Sequence, residues 1–563
     1  MRLAVFLILL AALAACGTPP EAAGLEPGRP QGASLDDNRT LVIAMRTEPK
    51  VFVGSDLDPT HVGATPNSPW QLFHAALTQT DDRGTTVLQL AEGFPELGTD
   101  SWKVFPDGRM ETTWRLRPNL SWHDGTPLSA DDFVLAIRFS KTMGRAGGSP
   151  IESATALDSR TLLIRYQTPT PDAAEAIWQP LPAHVVGAAF ETMDAREFFD
   201  TLPFWTSEFI GLGPYQVERW EPGAFITGVA FPNYVNGKPK IARIQLVWQP
   251  DANTAVANLL SGSVHFATDL SLAFPQASVL RREWAGARQP GTVLLGTSKT
   301  VYTQVQARPD YARPAALLDV RFRRALAHAI DKQAIVDAVL DGEPGIADTF
   351  MAKEEESYAE LDKVLTRYRL DPRRTDQLMS DVGFTKDAEG FYGQSGARLA
   401  VGIQVAGGGG GYLNEALVVA DSWKRVGIDT QLRTLSANEQ VDQETISTYP
   451  SLYITQRQIF TNPFLYFTTA TLARPATKWE GRNKMGFFDP ELDRLSDLYN
   501  ASLDRHDRIN ALVQGMKLVS DQSAYYPLYY GYDVIAGAGG LIGPRGARKD
   551  NAMWKVEEWT WAQ

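Results

Sequence analysis

Residues 114–132 read WRLRPNLSWHDGTPLSADD and carry a clear structural signal. Residues 114–117 alternate apolar and charged side chains, a pattern typical of a β-strand with one buried face. Asp124-Gly125 predicts a turn after that strand. Ser129 is a favoured helix N-cap residue, and Asp132 stands three positions later, where its carboxylate can accept from the N-cap backbone. The stretch therefore predicts a strand, a turn and a capped helix, in that order.

Similar signals recur on both sides of this stretch. Leu41–Met45 and residues 244–248 are apolar runs with the length of buried strands. Aspartates at helix starts predict helices over Val320–His328 and 332–340 and from Pro490, and another helix is predicted over 412–426. Strands and helices that mix over roughly 520 residues predict an α/β body of two lobes.

Length and composition narrow the class of protein. The chain has 563 residues, 44% of them apolar, so it can bury several cores, since a single core rarely exceeds about 250–300 residues. Its 54 Lys and Arg against 66 Asp and Glu give a net charge of −12, which argues against a nucleic-acid partner. A single cysteine excludes an intramolecular disulfide framework and zinc sites built from several cysteines.

That cysteine, Cys16, follows a predicted export signal. Met1-Arg2 supplies a positive start, and the apolar run over residues 3–15 is too short for a membrane-spanning helix, which needs about 20 residues. Leu13-Ala14-Ala15-Cys16 resembles a bacterial lipobox, although an ordinary signal peptide with a chance cysteine is the alternative. We expect a lipoprotein signal peptide over 1–15, then an acylated Cys16 and a flexible tether over 16–38. The protein would be exported and anchored to the cell membrane, facing the periplasm or the exterior.

Local motifs for catalysis, metals and cofactors are missing from the sequence. None of its seven histidines lie three or four residues apart, so there is no HExxH zinc helix, and there is no GxSxG or GxxxxGK[ST] motif. Glycines 407–411 could hold an anion through backbone amides or form a flexible surface loop. Asp131 and Asp132 could form an acid–base pair, but capping and the helix dipole explain them more simply. We predict no catalytic residue, no metal and no cofactor.

Several segments, taken in order, resemble the family-5 extracellular solute-binding proteins of ABC importers, which include dipeptide and oligopeptide receptors. Residues 114–132 follow the family's LRpgvkwhDGtpltAeDv run, and Gly211-Leu212-Gly213-Pro214-Tyr215 matches its GTGPY. Further matches follow in family order, at Trp220-Glu221-Pro222-Gly223, Asn233-Tyr234, Gly237-Lys238-Pro239-Lys240, Pro250-Asp251-Ala252-Asn253-Thr254, Asp319-Val320-Arg321-Phe322-Arg323-Arg324-Ala325-Leu326 and Trp423-Lys424-Arg425-Val426-Gly427-Ile428. The resemblance covers roughly residues 40–535.

The resemblance implies a two-lobed, periplasmic-binding-protein-like α/β body with a hinge and a ligand cleft between the lobes. Residues 39–298 would form the first lobe with an inserted subdomain, residues 299–520 the second lobe, and residues 521–563 a return to the first lobe. Closure of the lobes would bury the ligand, and the closed form would dock on a permease.

One position departs from the peptide-binding members of this family. In those members an aspartate that grips the ligand's α-amino group lies just before an Asx/Glx-Pro step. The matching stretch is Ile459-Phe460-Thr461-Asn462-Pro463, so Ile459 occupies the aspartate's position. Isoleucine cannot pair with an ammonium group, and a buried unpaired charge costs several kcal/mol. Arg457, two residues earlier, could instead face an acidic group of the solute or point outward into solvent.

Other candidate ligand contacts follow from position in the family layout, and each could instead pack in a core. They are Trp205 before the GLGPY turn, Tyr302, Gln304 and Gln306 before a second-lobe helix, and Phe460, Asn462 and Phe464 around Pro463, in addition to Arg457. Aromatic rings and amides suit a sugar or an apolar side chain equally well.

We therefore expect a lipid-anchored solute-binding receptor that captures a peptide-like solute by lobe closure and delivers it to an ABC permease with its ATPase. It would act as a monomer and bind no nucleic acid. An oligosaccharide or a metal chelate is the alternative ligand class within this fold. A secreted hydrolase that uses cleft carboxylates is the alternative of another class, and a sensor subunit that passes a signal to a membrane receptor is a third possibility.

Overall fold

The structure, a computed structural model, describes residues 39–59, 69–144, 150–175, 177–268, 270–408, 411–459, 462–548 and 550–562. The predicted signal peptide, Cys16 and the tether lie outside these residues, and so does Phe460.

The described residues form 21 β-strands and 14 α-helices. The strands are β1 Leu41–Met45, β2 Thr78–Thr80, β3 Thr86–Leu88, β4 Trp102–Val104, β5 Met110–Arg115, β6 Ile151–Asp158, β7 Thr161–Tyr166, β8 Tyr215–Glu221, β9 Phe225–Ala230, β10 Arg243–Trp248, β11 Phe266–Ala267, β12 Thr292–Val305, β13 Thr385–Lys386, β14 Tyr392–Gln394, β15 Ala397–Arg398, β16 Ala400–Ala406, β17 Asp429–Leu435, β18 Leu452–Gln458, β19 Tyr525–Gly537, β20 Leu541–Ile542 and β21 Thr560–Trp561. The helices are α1 Trp70–Phe73, α2 Ala130–Thr142, α3 Ala183–Thr192, α4 Ala195–Thr201, α5 Ala252–Ser261, α6 Phe274–Trp284, α7 Val320–His328, α8 Lys332–Val339, α9 Tyr358–Val364, α10 Pro372–Asp381, α11 Leu413–Val426, α12 Ala437–Val441, α13 Pro490–Ala501 and α14 Arg505–Asp521.

A mixed sheet of ten strands forms the centre of the fold, in the order β17-β16-β18-β12-β19-β11-β1-β10-β9-β8. Strand β1 pairs in parallel with β10 and β11, and β16 pairs in parallel with β17 and β18. Between these two parallel groups, β12 and β19 pair antiparallel along most of their length. A separate antiparallel sheet has the order β4-β5-β7-β6.

The elements predicted from the sequence are found where local signals place them. Strand β1 and helix α7 have the predicted bounds, α8 ends one residue earlier than predicted, and α11 begins one residue later. The side chains of Asp319, Asp331 and Asp489 each accept a hydrogen bond from a backbone N–H in the first turn of the helix that follows. Capping is local, which is why the sequence predicts it well.

The capping interpretation of Asp132 is confirmed. The Ser129 backbone N–H donates to the Asp132 carboxylate at 2.9 Å. The same carboxylate accepts from the Trp122 indole N–H at 3.2 Å and from the Ala183 backbone N–H at 2.9 Å. Burial raises the pKa of Asp132. This side chain therefore ties the Trp122 turn, the start of α2 and the start of α3 together.

The Gly-rich turn at Gly211 and Gly213 is built for close packing. A Cβ atom on Gly211 would stand 1.9 Å from the Phe73 carbonyl oxygen, and one on Gly213 would stand 2.4 Å from the His74 nitrogen. The Gly211 N–H donates to His123 Nδ1 at 3.2 Å, so the neutral ring donates from Nε2 to the Gly213 carbonyl at 3.0 Å. Burial lowers the pKa of His123 to about 4. These motif residues specify packing between segments that are distant in sequence.

Among the described residues, the buried apolar side chains form five clusters, which fall into two groups by their position in the chain. The first core draws its fully buried members from residues 41–284 and 534–559. The second core draws them from residues 301–529. Both ends of the described chain therefore contribute to the first core, and the central part supplies the second.

Candidate functional site

Strands β12 and β19 pass from one core to the other. Leu294 at the start of β12 and Ile535 near the end of β19 pack in the first core. Val301 further along β12 and Tyr529 on β19 pack in the second core. The change falls near Lys299, which pairs with Gly531 across the two strands. We call this region, residues 296–300 with 530–533, the crossover.

The carboxyl ends of the parallel strands in both cores point toward the crossover. In the first core, Phe266 of β11 pairs with Gly537 and the next residue, Ala267, pairs with Ala536. Ala536 lies closer to the crossover along β19 than Gly537 does, so β11 runs toward the crossover. In the second core, Gln458 at the end of β18 pairs with Lys299. Because β1 and β10 run parallel to β11, and β16 and β17 run parallel to β18, both sets end at the same region. Ligands of open α/β sheets bind in the crevice outside the carboxyl ends of parallel strands.

Ile459 lies at the edge of this crevice. Its backbone N–H donates to the Ser298 carbonyl oxygen at 3.0 Å, which holds the end of β18 against the crossover. Its side chain is 4% exposed. The Ile459 side chain therefore places an apolar, buried group at the end of β18.

Asn462, just beyond this edge, caps a short 3-10 helix over Pro463–Tyr466. Its side-chain oxygen accepts from the Phe464 N–H at 3.0 Å, and its amide nitrogen donates to Asn500 at 2.9 Å. Phe464 is fully buried in the second core and packs against the Tyr499 ring.

Arg457 is buried inside the second core, so the solvent-facing interpretation is wrong. The residue is 2% exposed. Its guanidinium donates to the Phe350 carbonyl oxygen at 2.8 Å and lies 4.8 Å from the centre of the Phe350 ring. The Tyr466 ring lies on the same guanidinium at 5.2 Å. Arg457 therefore joins β18 to the segment around Phe350 and to the 3-10 helix after Asn462.

Tyr302 and Gln304 belong to one buried polar chain in the second core. The Gln304 amide donates to the Tyr302 hydroxyl at 2.9 Å, and its oxygen accepts from the Tyr449 hydroxyl at 3.4 Å. The Tyr302 ring meets the Phe350 ring edge-on at 4.5 Å, and burial raises the pKa of Tyr302. The structure thus brings Tyr302 and Arg457 together around Phe350.

Gln306 and Trp205 lie in other surroundings. The Gln306 amide nitrogen donates to the carbonyl oxygens of Ser447 and Tyr449 at 3.1 and 2.8 Å. Trp205 is 2% exposed in the first core, and its indole N–H donates to the Phe198 carbonyl oxygen at 3.0 Å. The sequence predicts Trp205 as a candidate ligand contact, whereas the structure packs it among other aromatic rings, including those of Phe139 and Phe204.

The first core contributes a cavity that the sequence did not predict. Its volume is about 350 Å³, and its polar lining includes Ser55, Asp56, Asp58, Gln71, Thr80, Gln179 and Asp550. The segment over residues 53–58 follows β1, on the carboxyl side of that strand. Asp550 lies almost 500 residues away along the chain. No local signal predicts that pairing, because only the return of the chain to the first core creates it.

Asp550 connects this cavity to the crossover through Arg548. The Arg548 guanidinium donates to Asp550 at 3.0 Å. The Arg548 side chain also packs on Gly296 in β12, where a Cβ atom would stand 2.7 Å from Arg548 Cγ. The cavity therefore lies beside the strands that join the two cores.

Within the described ranges, the chain shows neither a metal-binding cluster nor a membrane-spanning helix. No group of three or more His, Cys, Asp and Glu side chains comes together there in a way that could hold a metal ion. Within the same ranges, none of the helices is both long and apolar enough to cross a bilayer.

Comparison with known proteins identifies the family. A model of the bacterial extracellular solute-binding proteins, family 5, matches residues 94–477. The chain belongs to this family. Members of the family are extracytoplasmic binding proteins of ABC transporters and not enzymes.

The similarity of this family-5 protein to individual relatives extends over almost the whole chain. It is 22% identical to the oligopeptide-binding protein AppA of Bacillus subtilis, over 99% of this chain and 98% of that one. The structure of Bacillus subtilis AppA in complex with a nonapeptide matches with a TM-score of 0.67 and 20% identity, covering 93% of this chain and 99% of AppA. The structure of NikZ from Campylobacter jejuni, in complex with Ni(L-His), matches with a TM-score of 0.69 and 20% identity, covering 92% and 99%. The predicted fold class, a two-lobed α/β binding protein, is confirmed.

Proposed function

We propose that this family-5 protein is the lipid-anchored receptor of an ABC importer, which captures a peptide-like solute between its lobes and delivers it to a membrane permease with its ATPase. One observation carries the proposal. The carboxyl ends of two sets of parallel strands face a common crossover. Among the strands that the structure describes, β12 and β19 alone pass through it. Such a crevice can close around a small molecule by hinge motion, without a nucleophile, metal or cofactor.

In this proposal the first lobe comprises residues 39–298 and about 530–563, and the second lobe comprises residues 299–529, so the return lies later than the predicted residue 521. The division of buried side chains into two cores supports this assignment. Tyr525 and Tyr529 pack with the second core, so the chain would return to the first lobe near residue 530.

Two ion pairs link the proposed lobes away from the central sheet. Arg508 on α14 lies 2.8 Å from Asp172, and Arg281 on α6 lies 2.5 Å from Glu343. Pairs with this much exposure typically contribute about 0–1 kcal/mol each. They are weak enough to break and form again as the lobes open and close.

The solute would contact the second lobe at its crevice edge, around Ile459 and Asn462. Tyr302, Gln304, Gln306, Arg457 and Phe464 would support that edge from within, and Trp205 would stabilise the first lobe. Bacillus subtilis AppA, matched in its complex with a nonapeptide, supports a peptide as the solute class. NikZ, matched in its complex with Ni(L-His), makes a chelate the alternative for the experiment to separate.

Identification of a co-purified solute tests the ligand class. Full-length protein is purified from membranes in detergent without an unfolding step and then denatured, and the released small molecules are identified by mass spectrometry. Short peptides are the expected result. A sugar or a metal chelate would contradict the peptide assignment and leave the receptor in place. An empty protein that turns over a chromogenic substrate would contradict the receptor itself.

Cell fractionation tests the lipid anchor. Wild-type protein is expected in the membrane fraction, and Cys16→Ser protein is expected to be absent from it, because the acylated thiol is the proposed anchor. A control variant, Ser55→Ala, leaves the cysteine in place and should fractionate as wild type. Equal membrane association of wild-type and Cys16→Ser protein would exclude the cysteine as the anchor.

A further inference from the structure

We propose that Gln179 of the first lobe is a solute-binding residue, whose side-chain amide N–H donates to a carbonyl oxygen of the peptide main chain. This inference rests on the proposed function and deepens it, because that function names solute contacts at the edge of the second lobe alone. The contact lies in the cavity of about 350 Å³ that Gln179 lines together with residues 53–58.

One hydrogen bond fixes the orientation of the Gln179 amide. The Gly54 backbone N–H donates to the side-chain oxygen of Gln179 at 2.6 Å. Because a backbone N–H can only donate, the atom that faces Gly54 is the amide oxygen and not the amide nitrogen. The two segments also pack closely, since a Cβ atom on Gly54 would stand 3.3 Å from the same oxygen. The oxygen and the nitrogen of the Gln179 amide therefore cannot exchange places.

The nitrogen of this amide is a donor without an acceptor. Gln179 is 4% exposed, and its amide nitrogen finds no hydrogen-bond partner among the residues that the structure describes. Gln71, the other amide of the cavity lining, donates instead to the Asp550 carbonyl oxygen. A buried donor without a partner is costly, and such groups are rare in folded proteins. An acceptor on a bound solute would satisfy the Gln179 donor.

The cavity has the size and lining of a ligand subsite. Ligand pockets are typically about 300–1,000 Å³ and mostly apolar, with a few polar groups that orient the ligand. The apolar part of this lining includes Val53, Leu57, Trp70 and Ile177. Residues 53–58 follow β1 on its carboxyl side, where open α/β sheets bind their ligands. Gln179 is thus placed to orient a solute that packs on the apolar wall.

A main-chain carbonyl oxygen is the acceptor that suits a peptide receptor. Each residue of a peptide carries one, whatever its side chain, so one fixed donor can hold the main chain of many different sequences. An ammonium group has no lone pair and cannot accept this bond. Gln179 therefore recognises the peptide main chain and not the charge at its amino terminus.

The first test replaces the donor and retains its neighbours. In Gln179→Glu, one oxygen still accepts from the Gly54 N–H, and the second oxygen stands where the amide nitrogen was. Full-length proteins are offered an equimolar library of synthetic pentapeptides, and binding is measured by native mass spectrometry. We expect the variant to bind at least about tenfold more weakly, because two acceptors would face each other. The control Gln167→Glu makes the same change at an exposed position after β7 and should bind as wild type.

The second test changes one atom of the peptide. In the library member that binds most tightly, sulfur replaces one main-chain carbonyl oxygen at a time, which weakens the acceptor and retains the rest of the peptide. Wild-type protein should show one position at which this replacement lowers the affinity at least about threefold, and Gln179→Glu should show no decrease there. Equal decreases in both proteins at every position would assign the hydrogen bond to another residue and overturn the inference.

A third variant decides the matter if Gln179→Glu does not fold. Ser55 lines the cavity and is exposed, so Ser55→Trp fills the cavity without a change in the core. We expect Ser55→Trp to bind the library at least about tenfold more weakly than wild type. Unchanged binding would exclude the cavity as a solute subsite and overturn the inference.

The outcomes separate this inference from the proposed function. Equal binding of the library by wild-type and Gln179→Glu protein would overturn the role of Gln179 and leave the peptide receptor in place. Failure of wild-type protein to bind any member of the library would overturn the peptide function, and this inference with it.

Discussion

Replacement of Gly211 by alanine tests whether the Gly-rich turn requires glycine for close packing against a neighbouring segment. A Cβ atom there would stand 1.9 Å from the Phe73 carbonyl oxygen, so the turn would have to move by about 1 Å to reach an ordinary contact. That shift would strain two hydrogen bonds with His123, one from the Gly211 N–H at 3.2 Å and one to the Gly211 carbonyl at 3.0 Å. Overpacking of a core costs about 1–3 kcal/mol, and each lost bond costs about 1 kcal/mol. We expect a loss of about 3 kcal/mol or more in the free energy of unfolding.

Thermal unfolding followed by calorimetry measures this loss. For a lobe of about 300 residues, 3 kcal/mol corresponds to a decrease of about 5 °C in Tm. Gly93→Ala is the matched control, because it adds the same methyl group where no atom lies within 4 Å and the backbone is not left-handed. This control should equal wild type or gain up to about 1 kcal/mol. A Gly211→Ala protein that melts within about 1 °C of the control would refute the close-packing argument.

Three further predictions concern buried charge and lobe contacts. Burial lowers the folded-state pKa of His74 to about 3 and that of His123 to about 4. The stability that each neutral ring contributes is therefore present above pH 6.5 and is lost as pH falls toward those values, by about 1.4 kcal/mol per pH unit and group. In denaturant titrations, His123→Gln should flatten this dependence of the unfolding free energy on pH, and an unchanged slope would contradict the prediction. Arg457→Met should lower the free energy of unfolding by about 2 kcal/mol, because the hydrogen bond to the Phe350 carbonyl is lost. Arg474→Met is the exposed control, and equal calorimetric Tm values for the two variants would contradict a structural role of Arg457. In titration calorimetry, Arg508→Gln should weaken solute binding by up to about fivefold, because the ion pair of Arg508 with Asp172 links the lobes. A loss of about a hundredfold would instead indicate that Arg508 contacts the solute directly.

Local hydrogen bonding explains why so many elements could be predicted. The caps at Asp319, Asp331 and Asp489 depend on groups two or three residues apart, so the sequence contains both partners. The family motifs could be recognised for a related reason, since turns and caps require particular residue types at fixed spacing. The glycines of these motifs indicate turns, and the structure adds that Gly211 packs directly on the segment at Phe73.

The candidate site was harder to predict because it depends on how far each side chain is buried. Sequence position placed Arg457 near the crevice, but it could not decide between a solute-facing and a solvent-facing guanidinium. Its burial follows from the Phe350 segment, about 100 residues away along the chain, which covers it. Trp205 shows the same limit, because aromatic residues suit both cores and binding sites.

The sequence by itself determined several of the strands and helices, their caps and the family. Each of these depends on residue types and spacings that are read along the chain. Only the tertiary structure decided which side chains meet at the crossover and that Asp550 joins Asp56 and Asp58 around one cavity. The physical reason is that the chain leaves the first core near residue 300 and returns to it near residue 530, and the contacts made on that return have no local signature.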